Sequence, residues 1–450
     1  MSKPQDADQA PASPPGGWFP WLCGFLIGLL PLKFGDPIIF PSDMEMPSDP
    51  ILWIFLSWPL NWGFWLLGLT FIASFFAGPL RLEGPRKWLL LLAGWYLWQW
   101  VAHSDSVDKA LSGPALAHFT GCVACLWLGM RARPEGAAWS NLMMPVTILF
   151  LFCIWSGFEQ HFWGLEELRK TVEENPSLVE GMHPWVLARL QSDRIYGPLF
   201  YPNAYAAAMV VWAPICMGFL LHRFGHLPGK ARWAMPLLLV LPCLACLYWT
   251  RSKTAILVAL LLMVISLLRL PFDRKLKIRA ITALGVVGLI GFFIVFAEYF
   301  QKGALSLGAR FHYWEVAWKI TLKHPFNGTG PATFQRPFET MKAPDAEMAR
   351  LAHNDFLEQG SDSGIPGFLF FTGFFVWGLA WTGRKVWKSE DPVGFSLWLG
   401  VLGWSLMALM EFTFYITGIA WPVFFFLGVL ATQAGRQEEA REGPTARSAA

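Results

Sequence analysis

Two arginines and one histidine, set in polar stretches of an otherwise apolar chain, are the residues best equipped for reaction chemistry. His353 lies in the run Ala352-His353-Asn354-Asp355-Phe356-Leu357, and a neutral imidazole takes a proton near neutral pH. A lone helical histidine is more often a hydrogen-bonded structural residue, but this one stands at the mouth of an apolar run and shares a polar region with Arg310. Guanidinium stays charged and grips phosphate bidentately, so Arg194 and Arg310 read as anion clamps; for Arg194, snorkelling at a membrane interface competes. Between Arg310 and His353 runs His324-Pro325-Phe326-Asn327-Gly328-Thr329-Gly330. It cannot continue a helix, and Gly328 and Gly330 permit a turn whose amides would face a phosphate, or a simple corner. Thr250-Arg251-Ser252-Lys253 forms a short hairpin whose cations either bind phosphate or anchor the interface.

Composition limits what surrounds these groups. Of 450 residues, 54% are hydrophobic and only 15% are charged, and the mean hydropathy is +0.40, whereas a soluble domain carries roughly one-quarter charged residues. The chain reads as an integral membrane protein. Its net charge of +3 is small and the basic residues sit where membrane orientation demands them, so charge points to no nucleic-acid partner. All seven cysteines fall inside apolar runs. That disfavours disulfides and metal ligation, even for Cys122/Cys125 and Cys243/Cys246 at CxxC spacing.

A helix needs roughly 20 apolar residues to cross the hydrocarbon core. About twelve segments qualify or nearly qualify, centred near Phe25, Leu66, Ala93, Ala124, Leu149, Val210, Val240, Leu260, Val287, Phe374, Val401 and Phe425. The expected fold is all-α and polytopic, with a membrane domain over 18–431. Residues 1–17 form a Pro/Ala/Gln/Asp-rich tail without a basic n-region, so the first apolar run reads as a retained span. Residues 432–450 read as a polar, disordered tail. Lys and Arg in short loops set the orientation: Arg81/Arg86/Lys87, Arg131/Arg133, Arg223/Lys230/Arg232, Arg269 to Arg279 and Arg384/Lys385/Lys388 mark the cytoplasmic side. The long loops 158–200 and 298–365 then face outward, in a bacterium toward the periplasm, with both termini inside. No internal repeat is visible, which argues mildly against repeat-built transporters.

Local patterns place the polar residues. Pro202 suits the first turn of a helix, Gly197 suits a turn, and Ala204, Ala206, Ala207 and Ala208 make a smooth packing face. Phe311, Trp314, Trp318 and Leu322 recur at helical spacing opposite His312, Glu315, Lys319 and Lys323, which predicts an amphipathic helix lying on the membrane surface with Arg310 at its start. A second helix is expected over Pro344 to Gln359, carrying His353 and ending at Gly360. Asp36, Asp43, Glu45 and Asp49 read as a solvated acidic loop, with a carboxylate base or a divalent-cation site as the alternative. Glu411 falls within an apolar run, where an ionised carboxylate is costly, so it should face a polar interior or the outer surface.

Taken in order, these elements resemble the O-antigen ligase and polymerase superfamily of bacterial membrane glycosyltransferases. The resemblance rests on Arg194-x-x-Gly197 with Pro202-Asn203, on Thr250-Arg251-Ser252, and on Arg310-x-x-x-Trp314 followed by His324-Pro325-x-x-Gly328-x-Gly330. It is completed by His353-Asn354-x-x-Leu357 and Gly364-Ile365-Pro366-Gly367, all within residues 193–375. Lys253-Thr254 departs from the small residues common in relatives, which leaves the hairpin's role open. The resemblance implies a glycosyltransferase-C-like fold in the bacterial inner membrane. It implies a transferase, independent of metal and cofactor, that moves a glycan from undecaprenyl pyrophosphate to an acceptor hydroxyl at the periplasmic face, with inversion. Arg194 and Arg310 would hold the pyrophosphate and His353 would accept the proton, while Arg251, Asn354, Trp314, Gly328, Gly330 and Asn203 would bind substrate. Lipid A core, a growing polysaccharide and a protein Ser/Thr remain open as acceptors. The competing class is a transporter of lipid-linked sugars, which would want ionisable residues at the bilayer midplane; apart from Glu411 the apolar runs are nearly devoid of them.

Overall fold

The computed structural model describes residues 17–40, 48–49, 53, 56–78, 85–136, 138–179, 191–199, 201–270, 273–299, 304–344 and 346–442. Among these the chain is helical throughout, with one isolated bridge, Pro37 to Ile416, and no strand. The helices are α1 (Trp18–Lys33), α2 (Leu60–Ser74), α3 (Arg86–Ser104), α4 (Lys109–Ala132), α5 (Ala138–Glu159), α6 (Leu165–Glu174), α7 (Pro202–Arg223) and α8 (Ala234–Thr250). They continue with α9 (Lys253–Arg269), α10 (Arg274–Tyr299), α11 (Ala304–Lys323), α12 (Gln335–Met341), α13 (Asp355–Lys388), α14 (Pro392–Met407) and α15 (Thr417–Glu442). Each of the twelve apolar centres read from the sequence falls inside a helix. By length and composition, 6 helical stretches among the described residues are able to cross a membrane: Lys109–Ala132, Ala138–Glu174, Pro202–Arg223, Ala231–Thr250, Asp355–Lys388 and Thr417–Glu438. Three shorter apolar helices, α1, α2 and α14, accompany them.

α15 is the axis of the bundle, with 94% of its most apolar window buried. Side-chain volume at its contact with α4 explains the close approach. A Cβ on Gly129 would collide with the carbonyl of Phe425, and one on Gly428 with that of Leu126, so two glycines let the backbones touch where lipid offers no hydrophobic drive to associate. The outer helices are apolar on the outside instead. Trp65 and Leu69 on α2, Leu90 and Leu97 on α3, and Leu237 and Leu241 on α8 are all exposed, a surface stable only against hydrocarbon. The chain is a multi-pass membrane protein.

Charge separates the two ends of the bundle. At one end Arg131 donates to the carbonyls of Ser74 and Gly78, Arg269 donates to those of Val386, Ser389 and Asp391, Lys385 pairs with Glu438, and Arg436 pairs with Glu135. These last two pairs draw residues 432–442 into α15, so this part of the expected disordered tail is helical; 443–450 lie outside the described residues. At the other end lie the first residues of α7, α9, α13 and α15, together with α11. Asp43 and Glu45 of the acidic loop, residues 1–16, and 180–190 and 300–303 of the long loops also lie outside the described residues.

Three local expectations change. α11 begins at Ala304, so Arg310 sits inside the helix and not at its start. Residues 343–344 and 346–354 are irregular and α13 begins only at Asp355, because Asn354 caps it: Asn354 Oδ1 accepts from Phe356 N and Leu357 N at 3.1 Å each. Gly360 therefore lies within α13 and ends nothing. The break comes later, at Ser363 (φ −134°) and Gly364 (φ 69°), ahead of Pro366.

Candidate functional site

Glu411 is the residue around which the predicted groups gather. It stands between α14 and α15, in a connection that the sequence left almost without length, and its side chain is 1% exposed. Oε1 accepts from Arg310 Nη2 at 2.6 Å and from Asn203 Nδ2 at 2.7 Å. Oε2 accepts from the Tyr201 hydroxyl at 3.5 Å and lies 3.4 Å from His353 Nδ1, within ion-pair range but without hydrogen-bond geometry. Asn203 extends the chain: its Oδ1 accepts from Arg194 Nη2 at 2.8 Å, and Arg194 Nε donates to the Thr250 carbonyl at 2.7 Å. One carboxylate thus joins Arg194, Arg310 and His353 from three separate parts of the sequence.

The local fold explains why each group is presented. Pro202 occupies the first turn of α7, and Gly197, at φ 55°, turns the preceding segment so that Arg194 reaches back to α8. Gln160 pins that segment; its Oε1 accepts from Tyr196 N and Gly197 N, and its Nε2 donates to Gly197 O, all at 2.9 Å. Arg310 lies on the face of α11 that meets the bundle. The next face of that helix buries Tyr313, Val316, Ala317 and Ile320, while Phe311, Trp318 and Leu322 are exposed and Lys319 donates to Glu315 at 2.7 Å on the polar stripe.

His353 is held in an unusual backbone state, φ 52°, in the left-handed region that a side chain with a Cβ rarely adopts. Such strain persists only where the surroundings over-determine it. Here the Asn354 cap fixes the following residue, Trp314 Nε1 donates to the His353 carbonyl at 3.4 Å, and the ring lies between Tyr313 (centroids 5.8 Å, stacked) and Phe412 (4.8 Å, edge-on). Phe412 in turn stacks on Tyr201 at 4.8 Å. The imidazole remains 27% exposed, so it is clamped but reachable.

Arg194, Arg251, Lys253 and Arg310 interact electrostatically near the carboxylate of Glu411, and the buried Asp355 lies within electrostatic range of that carboxylate. Burial pulls the pKa of Arg194 down, Glu411 pushes it back up, and Arg251 and Arg310 pull it down again, yet a guanidinium remains charged. Burial and the neighbouring Glu411 raise the Tyr201 phenol, so it stays protonated and donates. Arg251 is exposed at φ 52° just past α8. The arrangement suits an external anion with a reachable imidazole, able to accept a proton, nearby.

Other expectations move from binding to architecture. The Gly328–Gly330 turn offers no amides to a phosphate. Gly328 N donates to His324 O, Thr329 N to Ser361 O, Gly330 N to Asp362 O, Ala332 N to Asp362 Oδ2 and Thr333 N to Gly330 O, and Pro331 has no N–H. The turn docks on the break in α13, where the Tyr415 hydroxyl also donates to Asp362 Oδ2 at 2.7 Å. Asn354 spends its carbonyl oxygen on the helix cap, and Trp314 on the His353 backbone. Arg310, expected to serve an external anion alone, has an internal one in Glu411. Sequence reasoning undervalued Glu411 and passed over Tyr201, Tyr313 and Phe412; the one legible signal was an isolated acid in an apolar run.

Residues 237–372 match the family model for O-antigen ligase. This segment is similar to the O-antigen ligase family. No curated protein matches the chain. The matched segment runs from α8 into α13 and includes Arg251, Arg310, Trp314, both turn glycines and His353. Arg194, Tyr201 and Asn203 precede it and Glu411 follows it, so the matched segment contributes only part of the constellation.

Proposed function

We propose that the protein is a membrane glycosyltransferase that moves a glycan from undecaprenyl pyrophosphate to an acceptor hydroxyl at the periplasmic face of the bacterial inner membrane. The observation that carries this reading is the convergence of Arg194, Arg310 and His353 on Glu411, at the end of the bundle away from most of the basic loops. That distribution of Lys and Arg supports a periplasmic site. Arg194 and Arg310, with Arg251 beside them, would hold the pyrophosphate and offset the charge that grows on it as the bond from the anomeric carbon breaks.

His353 is the base in this scheme. With Nδ1 turned to Glu411, Nε2 is the ring nitrogen left to take the acceptor's proton while the acceptor oxygen attacks the anomeric carbon in line, giving inversion. Glu411 would orient the ring and stabilise the imidazolium that results. The pyrophosphate leaves with the bonding pair, and no nucleotide is needed. Lipid A core, a growing polysaccharide and a protein hydroxyl are all compatible acceptors. The transporter alternative finds less support, because Glu411, the one acid expected at depth, lies at a helix connection and is bonded to Arg310 and Asn203.

The test is reconstitution with an undecaprenyl-pyrophosphate oligosaccharide and each acceptor class. His353→Ala should slow transfer by about 10²–10⁴-fold, and Arg310→Ala or Arg194→Ala by about 10²–10³-fold. Normally inserted variants transferring at the wild-type rate would remove the assignment. Translocation of a labelled lipid-linked sugar without glycan transfer would favour the transporter.

A further inference from the structure

At the opposite end of the bundle from Glu411, Trp381, Arg384, Lys385, Lys388 and Glu438 line a cavity of about 280 Å³ between α13 and α15. Its only carboxylate is already partnered: Glu438 Oε1 pairs with Lys385 Nζ at 2.7 Å and accepts from Trp381 Nε1 at 3.1 Å. Arg384 and Lys388, one helical turn apart and both exposed, have no partner among the described residues. They are not needed to neutralise the end of α13, because Arg269 already donates to the carbonyls of Val386, Ser389 and Asp391 there. Two cations therefore remain at the cavity without an anion.

Continuity with the apolar face of α13 selects the kind of anion. Leu369, Val376 and Trp377 are exposed on the face of the helix that leads to Arg384 and Lys388. An anion held at these cations and attached to acyl chains would lay those chains along that face, with Trp381 at the junction between apolar and polar surroundings. We propose that this cavity binds the phosphodiester headgroup of an anionic glycerophospholipid, with Arg384 and Lys388 as the phosphate ligands and Lys385, Trp381 and Glu438 as the frame that holds the cavity open. The site is separate from the Glu411 cluster and does not depend on the reaction assigned to it.

Native mass spectrometry of the full-length protein in detergent tests this with dioleoylphosphatidylglycerol, dioleoylphosphatidylcholine and inorganic phosphate as probes. The glycerol lipid should remain bound where the choline lipid washes off, and millimolar phosphate should not displace it. The double variant Arg384→Gln/Lys388→Gln should weaken retention on the order of 30-fold, equivalent to about 2 kcal/mol for two cations. A control pair, Arg274→Gln/Lys277→Gln at the start of α10, should retain the lipid like wild type. Equal retention of the two lipids by the wild type would overturn the proposal whatever the variants do. So would undiminished retention by the Arg384/Lys388 variant, or an equal loss in the control. Displacement by inorganic phosphate would make this a site for a free anion and overturn the lipid assignment.

Discussion

Removing the charge of Glu411 by Glu411→Gln is the sharpest test of the proposed centre. At 2.6 Å and an effective dielectric constant of about 20, the gross attraction between this carboxylate and Arg310 is about 6 kcal/mol. Desolvation offsets much of that, but with Arg310 only 15% and Glu411 1% exposed, the variant leaves a guanidinium largely enclosed with no counter-charge. Such truncations cost about 3–5 kcal/mol, and the partial exposure of Arg310 places this one near about 3 kcal/mol. Arg310→Gln leaves the opposite orphan, an enclosed carboxylate, at a similar cost. The double variant should therefore recover part of the loss, with a coupling energy of about 2 kcal/mol. The assay is denaturant-induced unfolding of the four proteins in detergent micelles, repeated at high salt, which should leave the coupling nearly unchanged for a pair this enclosed. Additive losses, with coupling under about 0.5 kcal/mol, would refute the view that this ion pair holds the site together.

Other perturbations separate backbone from side chain. At φ 52°, His353→Gly should be more stable than His353→Ala by about 1 kcal/mol, while both lose glycan transfer; thermal melting and a transfer assay on the same preparations check the two halves. Gly328→Ala combines φ 63° with a Cβ driven into the backbone of Asp362 and Ser363, so its unfolding free energy should fall by more than about 3 kcal/mol, measured by the same denaturation. Arg336 hydrogen-bonds Asp108 and holds its carboxyl below the usual aspartate range. A depressed carboxylate contributes stability that is fully present above the unfolded value of about 3.9 and lost as pH falls through the folded one. Arg336→Gln should flatten that acid limb in a series of unfolding midpoints against pH, and an unchanged limb would show that the pair does not stabilise the fold.

How much was legible follows from the range over which each force acts. Hydropathy works over one helix length, so all twelve apolar centres fall in helices, and Pro202 and Gly197 did what their backbone chemistry requires. Capping also acts locally, yet the helix expected over 344–359 starts later, because the Asn354 side chain caps α13 and places its first residue at Asp355. That shift took His353 off a helix face and put it in a strained turn. The Gly328–Gly330 run looked equally suited to a phosphate or a corner; what chose between them was the α13 break, whose carbonyls and Asp362 accept the turn's amides.

The sequence by itself determined the class of protein, the gathering of most of the basic loops at one end and the identity of the cation and imidazole groups, since these depend on composition and on neighbours within a turn or two. Only the tertiary structure decided that they meet at Glu411. Arg310 and Asn203 reach that carboxylate across 101 and 208 residues of chain. An enclosed carboxylate is tolerable only where cations and donors surround it, and which distant side chains supply them depends on how the helices pack.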